Sequence, residues 1–125
     1  MPAKQVQLGA VRLSREQDES TSIERQREQI EAWARSKGYE VTVWATDTDV
    51  SGKVSPFDRD GLGPYLRPPL LHSWDVLVCA KLDRLTRNVG DWAELTEWAT
   101  DEHKQLVSVA ESLDLTTAMG RGMGT

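Results

Sequence analysis

Residues 81–87 read KLDRLTR and gather three cations, Lys81, Arg84 and Arg87, around one aspartate, Asp83. They follow directly on the apolar run DVLVCA at 75–80. A second group, Arg12-Leu13-Ser14, closes the apolar stretch QVQLGAVRL at 5–13, and Arg59 is a further basic outlier in SPFDR. Guanidinium groups stay charged and grip phosphate oxygens through paired N–H donors. Placed beside a serine, they can stabilise the charge that develops in phosphoryl transfer and ease ionisation of its hydroxyl. Other chemistries lack their parts. There is no Gly-x-Ser-x-Gly elbow, and His72 and His103 fall outside both clusters, which argues against a histidine-activated acyl hydrolase. There is no Gly-x4-Gly-Lys-Ser/Thr loop for nucleotide hydrolysis. No multi-cysteine metal site can be built from the single Cys79, whose place in an apolar run reads as a buried thiol.

Two strand ends must meet for these groups to act together. QVQLGAVRL reads as a buried first strand, and the polar SREQDESTS at 14–22 as a loop. A helix follows, with Thr21 and Glu24 in capping-box spacing, Gly38 at its close and a stripe of Ile23, Ile30, Trp33 and Ala34. YEVTVWA at 39–45 alternates Tyr39, Val41 and Val43 against polar neighbours, which predicts a second strand near a sheet edge. Three glycines and four prolines make 46–70 mostly loop, with at most a short helix around 58–67. WDVLVCA at 74–80 is apolar on both faces and reads as a central strand. Asn88 caps a helix over 89–102 with Val89, Trp92, Leu95, Thr96 and Ala99 inward, and QLVSVA at 105–110 is a fourth strand. The tail from Glu111 shows no packed element.

The pattern is α/β: a three-layer open sheet, mostly parallel, with flavodoxin-like winding in the order 2-1-3-4 and room for an antiparallel edge strand. Such sheets bind ligands beyond the carboxyl ends of their strands, where the winding reverses. In this order that point lies between residues 12–15 and 80–84.

The length of 125 residues suits one compact domain. Hydrophobic residues at 38% and charged ones at 28% describe a globular chain, without a signal-peptide core or a run long enough to span a membrane. One cysteine and no leader fit a cytoplasmic protein. The net charge of −5 argues against a generally DNA-binding surface but leaves room for a local phosphate pocket.

VRLS (11–14), STSIERQREQI (20–30), VSG (50–52), SPFDR (55–59), DVLVCAKLDRLTR (75–87) and VSVAESLDLTTAMGR (107–121) occur in one order along nearly the whole chain. In these motifs the sequence resembles the N-terminal catalytic domain of the serine recombinases, the resolvase/invertase family, and especially the large serine integrases. The resemblance implies site-specific DNA recombination, integration or excision, by transesterification through a 5′-phosphoserine. By the same resemblance Ser14 is the nucleophile, and Arg12, Arg84 and Arg87 surround the scissile phosphate. Asp83 orients an arginine or assists the leaving group, and Arg59 matches an isolated arginine of a mobile loop. Lys81, Gln17 and Gln26 are candidate phosphate or DNA contacts; a surface or turn role suits Gln17 and Gln26 equally well. Ser51 reads as a turn residue. The resemblance implies no cofactor and no metal, DNA attachment sites as partner, homodimers or homotetramers as working species, and no membrane.

The chain departs from the family at Ala10, where resolvase-type domains carry an aromatic residue. Family members also continue into a long oligomerisation helix and DNA-binding domains, whereas Gly120, Gly122 and Gly124 are poor helix residues. The expectation is a catalytic domain over 1–118 and, over 119–125, the start of a truncated connection, with weak duplex binding by this chain alone. The rival reading is a flavodoxin-like module that holds a flavin or another phosphate; the glycine-free, acidic SREQDES speaks against it. A silent interaction domain is the third.

Overall fold

The computed structural model describes residues 5–13 and 22–114. Its elements are β1 (Gln7–Leu13), α1 (Ile23–Ser36), β2 (Val41–Thr48), β3 (Val76–Cys79), α2 (Val89–Asp101), β4 (Gln105–Ser108) and β5 (Leu113–Asp114). The strands form one sheet in the order β2-β1-β3-β4-β5. The first four are parallel, and β5 pairs antiparallel with β4 at the edge. The parallel 2-1-3-4 core is therefore as expected. The antiparallel edge comes from the tail, where Ser112 turns the chain back with φ 54°.

Strand alternation divides the core into two layers. Leu8, Ala10, Leu77, Cys79 and Leu106 face α2 and the segment between β2 and β3, where they meet Leu62, Leu66, Trp74, Leu95 and Ala99. Val11, Val76, Val78 and Val107 face α1 and pack on Ile30. β2 breaks the simple alternation read from its valines. Gln7 pairs with Val41 and Leu8 with Val43, so Thr42 is an extra residue in the register. This bulge sends Val41 to the α1 layer and Val43 to the α2 layer. Tyr39 lies before the strand and is exposed.

Several predicted boundaries move. The α1 cap is Ser22, whose hydroxyl accepts from the Arg25 amide; Thr21 lies outside the described residues. Gly38, with φ 78°, closes the helix as expected. Asn88 caps α2 by accepting from Gly90 and Asp91, but Val89, expected inward, is exposed in the first turn of the helix. The loop after β2 folds into three 3-10 turns, Pro56–Asp58, Gly63–Leu66 and Leu70–Ser73. β2 itself continues to Thr48, three residues past the predicted end. Among the described residues no helix is long and apolar enough to cross a membrane.

Cys79 is wholly buried, and burial pushes its thiol up to about 12. It stays protonated at neutral pH and is a core residue. A thiol reagent such as Ellman's should label Cys79 only on unfolding, so the labelling rate should track the unfolded fraction across a urea titration.

Candidate active site

β1 and β3 are neighbours, so their carboxyl ends bring Arg12 and the 81–87 segment together. Residues Leu82–Arg84 form a 3-10 turn, closed by hydrogen bonds from the Arg84 amide to the Lys81 carbonyl and from Leu85 to Leu82. Arg12 Nη2 donates to the carbonyl of Asp83 at 2.8 Å. Its Nη1 donates to the Val50 carbonyl, also at 2.8 Å, just beyond β2. One buried guanidinium thus ties together the ends of three strands.

Gln26 of α1 fixes Arg12 from the opposite layer. Its Oε1 accepts from the Arg12 amide at 3.1 Å and its Nε2 donates to the Arg12 carbonyl at 2.8 Å. The surface-helix reading of Gln26 is therefore wrong: the residue is buried, and its amide completes the backbone hydrogen bonding of a strand end that carries no further partner strand on that side.

Arg59 is also placed differently from a mobile-loop or solvated cation. It is buried, with Nε at 2.9 Å from Asp47 Oδ2. Its Nη1 donates to the carbonyls of Arg84 and Leu85 at 2.9 and 3.0 Å. Asp47 accepts in addition from the amides of Gly61 at 2.6 Å and Leu62 at 3.1 Å. A Cβ at Gly61 would stand 2.3 Å from the Thr46 carbonyl oxygen, so only glycine allows this approach. Asp47 escaped the sequence reading because the stretch from 46 onward looked like loop. Its signal was the alternation of β2 extended by one more pair, which puts a carboxylate on an inward face.

Arg84 is buried, and its Nε lies 3.2 Å from Asp83 Oδ1 without the alignment of a hydrogen bond. Arg87 is exposed, and its amide donates to the Gly52 carbonyl at 3.1 Å. Lys81 is exposed at the entry to the turn. Ser14 and Gln17 lie outside the described residues; Ser14 follows Leu13, the last residue of β1, whose carbonyl accepts from Val50 at 3.3 Å. Glu111 reaches the far end of the turn, accepting from the Leu82 amide at 3.3 Å and from the Ser108 hydroxyl.

The cluster is cationic. Arg12, Arg59, Arg84 and Arg87 face Asp47 and Asp83, and Arg12 Nε and Arg59 Nη2 are buried donors without a hydrogen-bond partner among the described residues. Burial, followed by repulsion from Arg84, Arg59 and Arg87, lowers Arg12 to about 10. It remains charged at neutral pH, in a field that an anion would relieve. No group of three or more metal-ligating side chains occurs among the described residues.

Residues 8–125 match the family described as Resolvase, N terminal domain. The chain belongs to this family of serine recombinases. The similar solved structures include the N-terminal catalytic domain of TP901-1 integrase, with a TM-score of 0.78 and 26% identity over 94% of this chain and 86% of that one. Another is the C-terminal catalytic domain of ISC1926 TnpA, an IS607-like serine recombinase, with a TM-score of 0.68 and 25% identity over 82% of this chain and 66% of that one. A resolvase family site-specific recombinase from Streptococcus pneumoniae shares the fold, with a TM-score of 0.69 and 20% identity over 97% of this chain and 87% of that one. No curated protein was found to match. The enzyme class read from the motifs, a serine site-specific recombinase, agrees with these findings, and the flavodoxin-like binding module finds no support in them.

The Asp47–Arg59 pair yields a prediction. Removing one partner of a buried ion pair leaves an uncompensated charge, at a cost of about 3–5 kcal/mol. Asp47→Ala should therefore lower unfolding stability by about that much in urea, as should Arg59→Met. The double variant should lose less than the sum, because the two residues share one interaction.

Proposed function

We propose that this recombinase domain cleaves and rejoins DNA with Ser14 as nucleophile, in a site whose charge is supplied by Arg12, Arg84 and Arg87. The serine oxygen attacks a backbone phosphorus, the bond to the 3′ oxygen breaks, and the 5′ phosphate remains on the protein as a phosphoserine. A free 3′ hydroxyl leaves and later reverses the step on a new partner, so the energy of the broken bond is conserved. The observation that carries this reading is the joining of Arg12 to the Asp83 carbonyl, which places a surplus of buried cations at the strand end that leads into Ser14.

In this reading the arginines divide the work. Arg84 and Arg87 act on the non-bridging phosphate oxygens, with Lys81 as a peripheral backbone contact. Arg12 holds the two turns together while adding its charge. Arg59 stands behind the turn and acts by fixing the Arg84 backbone, and Gln26 does the same for Arg12. Asp83 sets the direction of Arg84. Gln17 remains a candidate contact beside the nucleophile. Guanidiniums are the electrophilic groups in this scheme, so the chemistry calls for no divalent ion. Residues 1–118 form the catalytic unit, and 119–125 lead towards an assembly helix and DNA-binding domains. Homodimers or homotetramers are then the working species, and the attachment sites are read mainly by those further domains.

Ser14→Ala should give no SDS-resistant protein–DNA adduct on plasmid carrying the attachment site, while duplex binding persists; undiminished adduct would identify another nucleophile. Arg84→Ala should slow adduct formation by about 10²–10³, the usual cost of losing one electrostatic donor. Cleavage by the unmodified enzyme should survive EDTA.

A further inference from the structure

The VSG segment at 50–52 carries no side chain assigned to the reaction, yet it touches two of the arginines. The Val50 carbonyl accepts from Arg12 Nη1 at 2.8 Å, and the Gly52 carbonyl accepts from the Arg87 amide at 3.1 Å. Gly52 is buried although it stands in a turn, and what covers it is Arg87. A Cβ at position 52 would come within 2.8 Å of Arg87 Cδ and 2.9 Å of both Cγ and Nε. Side chains do not approach each other so closely. The backbone of Gly52 lies outside the left-handed region, so its conformation alone does not demand glycine. The demand comes from the arginine stem lying across it.

We propose that Gly52 is a positioning residue for Arg87: its missing side chain provides the floor on which the arginine stem rests. The inference rests on the reading of Arg87 as a phosphate ligand. Arg87 is exposed, and a long exposed side chain samples many rotamers unless something restricts it. Its backbone is tied to Gly52 through the amide, and its stem covers the same residue. One residue therefore sets both ends of the lever. The turn that carries this floor also anchors Arg12, so the two guanidiniums share one support although 75 residues of sequence, about three-fifths of the chain by position, separate them. Any side chain at 52 would lift the Arg87 stem. The stem is flexible and open to solvent, so the effect should fall on its aim before it falls on the fold.

The test uses residues 1–125, with inorganic sulfate as the probe and NMR of the arginine Nε–H groups as the readout, on wild type, Gly52→Ala, Arg87→Ala and the double variant. Gly52→Ala should shift the Arg87 Nε–H resonance in the free protein. It should also weaken sulfate binding about tenfold, the equivalent of roughly one charge-assisted hydrogen bond. In the Arg87→Ala background it should cause no further loss. Equal losses in both backgrounds would overturn the inference, because Gly52 would then act independently of Arg87. Unchanged affinity in Gly52→Ala, with a loss in Arg87→Ala, would overturn it while leaving Arg87 as a ligand. No loss in Arg87→Ala would remove Arg87 from the site and the inference with it. Should Gly52→Ala fail to fold, restored folding in the double variant would support the clash with Arg87, and continued failure would refute it.

Discussion

The arrangement depends on a carboxylate placed at the end of an edge strand. Asp47 neutralises Arg59 inside the protein and gathers two backbone amides, while Arg59 passes the constraint on to the carbonyls of Arg84 and Leu85. Such a pair contributes little net stability, because removing both charges from water costs about as much as their attraction returns. Its effect is to define a geometry. A 3-10 turn is short and poorly hydrogen-bonded by itself. With Arg59 behind it and Arg12 across its Asp83 carbonyl, the Leu82–Arg84 turn has one position relative to the sheet.

This explains how an acidic chain can hold the anion site proposed above. Helix α1 is balanced in charge, whereas α2 carries Asp91, Glu94, Glu97 and Asp101 against no basic residue, and solvent screens such surface charges over a Debye length of about 8 Å at physiological salt. Arg12, Arg59 and Arg84 instead lie in low-dielectric packing, where screening is weak. Arg12 and Arg59 are held against mutual repulsion by hydrogen bonds to carbonyl oxygens, each of which carries only partial negative charge. The site is polarised before any ligand arrives, which is what electrostatic preorganisation requires.

Much of this was legible in the sequence because the chemistry sits where periodicity ends. The apolar runs ending at Leu13 and Ala80 located both strand termini, and the parallel order placed them side by side. The meeting of Arg12 with the segment that holds Asp83, Arg84 and Arg87 was legible for that reason. Asp47 was not, since a carboxylate among threonines and aspartates has no apolar rhythm to mark the strand beneath it. The inward side of Gln26 was missed because a glutamine on a helix reads as polar surface, whereas its amide matches the two free backbone groups of Arg12. The bulge at Thr42 was invisible for another reason: valines at 41 and 43 satisfy alternation whichever faces they occupy.

The sequence distance of these hydrogen bonds bears on how the protein comes to be folded. Arg12 reaches 71 residues along the chain to Asp83 and 38 to Val50, while Arg59 reaches 25 and 26 to Arg84 and Leu85. Closing such loops costs chain entropy before any contact rewards it. A nascent chain can form α1 and its neighbouring strands early, but it cannot form the arginine cluster until β3 has emerged and docked against β1. The charges thus come together only on a sheet that already exists. Until then Arg12 and Arg59 remain hydrated and apart from the cations of 81–87, and a half-made domain lacks the assembled cationic surface with which it could capture nucleic acid during synthesis.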